Sequence, residues 1–514
     1  MRARRPVVAI GLDATQISLI ERLCEEGRLP TIRRLREQGR FGRIQSDATY
    51  FASSVWPTFY NSARTEHHGW YYGKMWHPEK MRLEFAGQSW LPQEPFWETL
   101  DQARYRIAIL DMPYALSTPR VNGVFVSGWQ THDAFGRFSH PSHQWREIRR
   151  RFGRPSMRPE RFGEQTPKSL SRLRQEMLDT LEQSTHISRW LLETDSWDLF
   201  MIVLGSIHRG THYLWDLSQI DSSKLDSETR RTLEAARDEL YVAADRAVAR
   251  ILDSAPSDAL VLVFSLHGME ANPGWADRSS DLVAHVHRDG SQAAPQEGRL
   301  YRWKRRAPWR LIREVTTRLP VRVNKRFVPL WSSRMFDWSK TRFFPLPVDI
   351  NGYIRVNLKG REPRGIVEPG AEYDALLTEL EDAFRGYRTI ETGEPIVRDV
   401  VRVDDIVDAG APRRYLLPDI VLLWAPVSLQ KVSGVVSERY GELRWGKGAA
   451  LPSGRSGNHL PDGWLVACGA GIEQGPDLTC DSIDLVPTIY RWLGAEPSPS
   501  FQGRLIEEIV PTVR

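Results

Sequence analysis

Four histidines and one aspartate carry the residue types that bind a transition metal. They are Asp13 in AIGLDA, His208 and His212 in GSIHRGTHYLW, His267 in VFSLHGM and His459 in GRSGNHLPDGW. The i, i+4 spacing of His208 and His212 puts both imidazoles on one face of a helical turn, where they can share one ion. Arg209 lies between them, placed either to meet phosphate charge or to face outward. Ser53 and Ser54 open the apolar, helix-like run SSVWPTFYNS. A hydroxyl there can cap the helix. The same place attracts phosphate, because free backbone N–H groups and the helix dipole point at it. A hydroxyl beside a divalent metal can also become an alkoxide nucleophile. Taken singly, each residue reads as readily as a structural one, Asp13 as a helix cap and each His as a core polar group.

The elements around these residues give them more weight together. Asp13 follows VVAIGL, His208 follows DLFMIVLG, His267 follows ALVLVFS, and His459 precedes WLVACG. RIAIL (106–110), VFVSG (124–128) and DIVLLW (419–424) are further runs of the same kind. Continuous Val, Ile and Leu suit strands covered on both faces. Amphipathic stretches alternate with them: ISLIERLCEEG closed by Gly27, the long segment 228–253, and IDLVPTIYRWLG at 483–494. The pattern predicts an α/β fold, a central mainly parallel sheet with helices on both faces. In such sheets ligands collect beyond the carboxyl ends of the strands. The alternation breaks between about 276 and 345, where RLYRWKRRAPWRLIREVTTRLPVRVNKRF is rich in Trp and Arg. This reads as an inserted cap, its basic 298–331 portion able to meet an anionic substrate, a membrane surface or an acidic partner. The expected organisation is a core in two parts, 1–275 and 346–514, around a cap at 276–345.

Composition narrows the function classes. At 514 residues and 59.1 kDa the chain exceeds the usual single-domain size. Hydrophobic residues at 41% and charged residues at 26% exclude a disordered or fibrous protein. A net charge of +5, from 70 Lys and Arg against 65 Asp and Glu, does not indicate a binder of nucleic-acid duplexes. Three cysteines make no disulfide framework and no CxxC zinc pair, which points to a reducing, cytoplasmic setting. No stretch approaches the ~20 apolar residues of a membrane span. The run Val7–Leu12 is shorter than the roughly 7–15 residues of a secretory signal.

The segments EEGRLPTIRRLREQGRFGRI, SSVWPTFYNSARTEHHGWY, WDLFMIVLGSIHRGTHYLW, VFSLHGM, DWSKTRFFPLPVDINGYIRVNLKGREPRGIV, SGNHLPDGWLVACGAGIE and IDLVPTIYRWLGAEPSPSFQGRLI, in this order after AIGLDA, span nearly the whole chain. As a set they resemble the alkaline phosphatase superfamily, in particular its type I phosphodiesterase/nucleotide pyrophosphatase-like group of phosphohydrolases and phosphomutases. The resemblance implies two zinc sites around a Thr or Ser nucleophile. One would comprise His208, His212 and His459, with His208 where the family commonly has Asp. The other would comprise Asp13, the nucleophile and His267, with Leu266 in place of an Asp. Counting back without gaps from His68-Gly69, the nucleophile's usual place falls on Ala52, one residue before Ser53 and two before Ser54. The family's Thr-Gly reads Asn61-Ser62. No C-x-P-x-R segment exists to mature into an oxidised cysteine nucleophile, which argues against a sulfatase.

These readings lead to an expected metal-dependent hydrolase of phosphoric esters, acting on phosphodiester or nucleotide pyrophosphate-type substrates. Zinc is the expected metal, tight on the three His and weak or absent on Asp13 with His267. Mn2+ or Fe2+ would suit the same donors. An acidic residue restored at 266 is expected to strengthen the second site. The attacking group is Ser53, Ser54 or water. The partner is a small anionic phosphoester, and a homodimer is compatible with the sequence. Two alternatives stay open: a diverged one-metal member doing different chemistry on a small anionic metabolite, and a non-catalytic phosphoester-binding protein.

Overall fold

A computed structural model of the chain describes residues 5–87, 90–100, 104–115, 121–130, 137–158, 160, 163–221, 223, 225–289, 328–329, 332–346, 350–445, 451 and 453–511. Nine strands form the central sheet: β1 (Val7–Leu12), β2 (Arg40–Gln45), β3 (Ile107–Leu110), β4 (Gly123–Ser127), β5 (Phe138–His140), β6 (Leu199–Leu204), β7 (Leu260–Ser265), β8 (Gly463–Cys468) and β9 (Leu478–Asp481). Their order across the sheet is β9-β2-β8-β7-β1-β6-β3-β4-β5. β7, β1, β6, β3 and β4 run parallel to one another, as do β2 and β9. β8 is antiparallel to both its neighbours, and β5 is antiparallel at the edge.

Both faces are covered, which is why the strands read as unbroken apolar runs. Val7 and Ala9 of β1 enter one core cluster, with Met201, Phe264 and the helices α1 (Val55–Asn61) and Leu485–Leu493. Val8, Ile10 and Leu12 enter the opposite cluster, with Ile202, Val263 and two long helices, α2 (Pro167–Thr194) and α4 (Ser227–Leu252). The two-residue alternation of a strand splits one continuous sequence between two cores. Both long helices begin on a side-chain cap. Thr166 and Ser169 form a reciprocal capping box around Pro167, and the Asp226 carboxylate accepts from the backbone N–H of Glu228 and Thr229.

Between β7 and β8 the chain builds a second layer. Phe343–Leu346, Gly352–Val356, Ile420–Trp424 and Val397–Arg402 form a four-stranded antiparallel sheet in that order. One of its faces (Tyr353, Val421, Leu423) joins the first core cluster, and the other (Ile354, Ile420, Leu422) packs with the helix Ala371–Arg385. The basic stretch 298–331 lies outside the described residues except for 328 and 329. No helix among the described residues is long and apolar enough to cross a membrane.

Candidate metal centre and active site

The register of three neighbouring parallel strands assembles the site. Leu12 of β1 pairs with Leu204 of β6, and Gly11 of β1 with Phe264 of β7. Asp13, the helix α3 (Ser206–Leu214) and His267 therefore emerge side by side at the carboxyl ends of these central strands. His459 arrives on a short ribbon, Gly457–Leu460, antiparallel to Gly268–Ala271, with Met269 opposite His459. This ribbon explains the reversed direction of β8. Its strand starts four residues after His459, at the site end of the sheet, and has to run away from the site. Close approach of the ribbon to α3 depends on Gly457. A Cβ there would stand 2.3 Å from the Thr211 carbonyl oxygen.

Three imidazole nitrogens converge. The Nε2 atoms of His208 and His212 are 3.0 Å apart, those of His208 and His459 3.1 Å, and those of His212 and His459 3.0 Å. All three residues are buried. The far nitrogens of two rings identify the tautomers. His212 Nδ1 lies 3.0 Å from the Gly457 carbonyl, which can only accept, so Nδ1 carries the proton. His208 Nδ1 donates to Asp13 Oδ2 at 2.7 Å. With Nδ1 of His212 carrying the proton, its Nε2 presents a lone pair to the centre of the triangle, where a cation could be held. Nitrogens about 2.0–2.1 Å from a tetrahedral zinc stand about 3.3 Å apart, so the observed triangle is slightly contracted and otherwise fits that ion. Burial, with Arg455 and the neighbouring imidazoles, pushes the basicity of His212 and His459 well below the ordinary imidazole range. Their lone pairs are thus free at neutral pH. His459 Nδ1 has no partner among the described residues, and the ring stacks on His267 instead, with centroids 4.7 Å apart and planes at 8°.

Asp13 is buried at 1% exposure, and each of its oxygens faces donors. Oδ2 takes the His208 N–H, Oδ1 accepts from the Trp56 indole at 2.9 Å, and His267 Nε2 stands 3.4 Å from Oδ1. Burial alone would raise its pKa, but charge and hydrogen bonds from His208 and His267 outweigh it and hold the carboxyl well below its usual range. Leu266 is fully buried in the apolar cluster that contains Trp56 and Phe264.

The two serines separate. Ser54 Oγ donates to the Phe51 carbonyl at 2.7 Å and lies 2.9 Å from Thr65 Oγ1, inside a buried network with Asp47. Ser53 Oγ is buried with no partner among the described residues. Arg209 turns away from the three imidazoles. Its guanidinium donates to the Arg158 carbonyl, and Nε has no partner among the described residues. On that side of α3, Glu160 accepts from Tyr213 at 2.7 Å and from Arg455 at 2.9 Å. Trp56 and Glu160 carry no mark of this role in the sequence, whereas Arg455 shares the Gly-rich loop of His459.

This sheet, with its polar groups gathered where parallel strands end, is the architecture of the alkaline phosphatase superfamily. The chain belongs within it to the type I phosphodiesterase/nucleotide pyrophosphatase family, whose pattern matches residues 7–427. The fold is similar to that of human ectonucleotide pyrophosphatase/phosphodiesterase 5, with a TM-score of 0.50 at 11% identity over 99% of this chain and 100% of that one. It is also similar to the alkaline phosphatase PafA, with a TM-score of 0.52 at 11% identity over 99% and 100%. Phosphonoacetate hydrolase from Sinorhizobium meliloti 1021, solved with phosphonoformate, aligns at a TM-score of 0.49 and 13% identity over 96% of each chain. Identities this low speak to the fold alone. No curated protein matches the chain in sequence.

Proposed function

We propose that the protein is a metal-dependent hydrolase of phosphoric esters, acting on phosphodiester or nucleotide pyrophosphate-type substrates. The observation that carries this reading is the buried triangle of Nε2 atoms 3.0–3.1 Å apart, in a member of a phosphoesterase family. His208, His212 and His459 would hold one zinc, which when bound supplies Lewis-acid stabilisation of phosphate charge. Ser53 is the candidate nucleophile. Its hydroxyl is uncommitted, and Trp56, three residues on and so on the same helical side, reaches Asp13. Ser54 reads as structural, because its hydroxyl is spent on the backbone. Arg209 reads as a residue that ties α3 to the 158–160 segment. Cys24, Cys468 and Cys480 are all buried and free, in keeping with the proposed cytoplasmic setting.

Leu266 favours the second reading, a diverged one-metal member, since the family's second carboxylate is replaced by a core side chain. Elemental analysis of the dialysed protein, followed by turnover of an activated phosphodiester, phosphomonoester and phosphonate panel, separates the two. One equivalent of zinc with phosphodiester turnover supports the first reading. Zinc with turnover confined to another class supports the second. Absence of bound metal from every preparation rejects both.

A further inference from the structure

We propose that Asp13 serves this chain as a positioning residue for His208, steered by the indole N–H of Trp56, and that the metal centre is mononuclear. The proposal rests on the three His holding a metal, as argued above. An imidazole at 208, where the family commonly has a carboxylate, brings a second ring nitrogen that needs an acceptor. Asp13 Oδ2 supplies it at 2.7 Å, which fixes the ring's tautomer and aims Nε2 at the other two histidines. The negative charge would then lie behind the ligand ring and not on a bound metal itself.

Trp56 decides how Asp13 is turned. Its Nε1 donates to Oδ1 at 2.9 Å, and both residues are buried. The indole cannot swing aside. It packs edge-on against Phe59 and tilted against Phe264, and a Cβ on Gly11 would stand 3.0 Å from its Cη2. A fixed donor on one oxygen and an imidazole N–H on the other engage both carboxylate oxygens. Leu266 offers no ligand in exchange, since its side chain belongs to the apolar core. Asp13 and His267 alone, with Oδ1 and Nε2 3.4 Å apart, give two donors where a stable second ion needs three or four.

The test is zinc titration by calorimetry into the chelator-stripped full chain, for wild type, Asp13→Asn and Trp56→Phe, alongside thermal unfolding of each apo form. The expected result is one equivalent in all three. Affinity should fall about 10–100-fold in D13N and about 10-fold in W56F, while the apo W56F protein unfolds within a few degrees of wild type. The visible absorption of the cobalt-substituted protein should also change in both variants, which a loss of packing alone would not produce. Two equivalents in wild type, with one lost in D13N, would make Asp13 a ligand and overturn the proposal. A W56F protein with wild-type affinity and an unchanged cobalt spectrum would overturn the steering role. If D13N fails to fold, the wild-type stoichiometry and W56F still decide. Two equivalents with phosphoester turnover would sink this proposal and leave the functional reading intact. One equivalent without turnover of any phosphoester would do the reverse.

Discussion

The serines at the head of α1 differ in what their hydroxyls already do, and that difference sets their expected phenotypes. Ser53→Ala should lower turnover by several orders of magnitude with metal content and melting temperature unchanged, because its oxygen has no structural partner among the described residues. Ser54→Ala should behave in the opposite way. It removes the donor to the Phe51 carbonyl beside Thr65 and should cost about 1–3 kcal/mol of stability, read by denaturant melts. A phosphate trapped by mass spectrometry on any residue other than Ser53 would reject the assignment. Leu266 invites a second substitution at this scale. Family resemblance places an acidic ligand there, but the side chain is fully buried among aromatic and aliphatic neighbours. Leu266→Asp should therefore destabilise the fold by about 3 kcal/mol or more, and a zinc isotherm of the variant should show no added binding event.

At the scale of elements, the site is a junction of three parallel strand ends and one ribbon. Its geometry depends on how closely Gly457–Leu460 approaches α3. Gly457 gives His212 its acceptor and leaves no room for a side chain against the Thr211 carbonyl. Gly457→Ala should push the ribbon off the helix and separate His459 from His212. Zinc affinity should fall about 10-fold or more, and the separation of the two rings should be visible in the crystal structure of the variant. An unchanged affinity would mean that the ribbon position is set elsewhere, for example by the Ser456 N–H donating to the His212 carbonyl at 2.8 Å. Most of these elements were legible in the sequence. The long helix read at 228–253 is Ser227–Leu252, and Gly27 and Gly494 end their helices with positive φ. The 28-residue helix α2 is poorly marked in the sequence, because its interior mixes Ser, Thr and charged residues with a diluted apolar stripe. The reversed direction of β8 was also hidden, since WLVACG has the same composition as its parallel neighbours.

For the whole molecule, the second layer carries a buried ion network that should govern acid stability. Arg361 grips both oxygens of Asp419, at 2.7 and 2.8 Å, while Val356 N–H and the Tyr373 hydroxyl donate to the same carboxylate. Burial opposes ionisation there, but Arg361 outweighs it, with help from Arg414 and Arg355, and holds the carboxyl far below its usual range. A carboxyl depressed in the folded state binds its proton more readily when unfolded. Its contribution is therefore complete above the unfolded pKa of about 3.9 and fades as pH falls below it. Asp419→Asn should lose about 3–5 kcal/mol at pH 7, because it leaves Arg361 buried and partly unpaired. Urea melts of the variant should also fall less steeply between pH 4 and 2. A parallel pair of curves would show that Asp419 is not the group responsible.

The class of fold, the family and the presence of five metal-competent side chains were all readable along the chain. Each of these is a local property: apolar runs of strand length, helical spacing of His208 and His212, and polar residues just past a run. What those side chains do to one another follows from contacts made across the fold. Strand register set Asp13 beside His208, and a ribbon from the far end of the chain delivered His459 to the same point. Trp56, 43 residues from Asp13 in sequence, aimed its indole at the carboxylate. Hydrogen bonds across such separations depend on three-dimensional closure of the chain, and no periodicity or spacing along it carries that information.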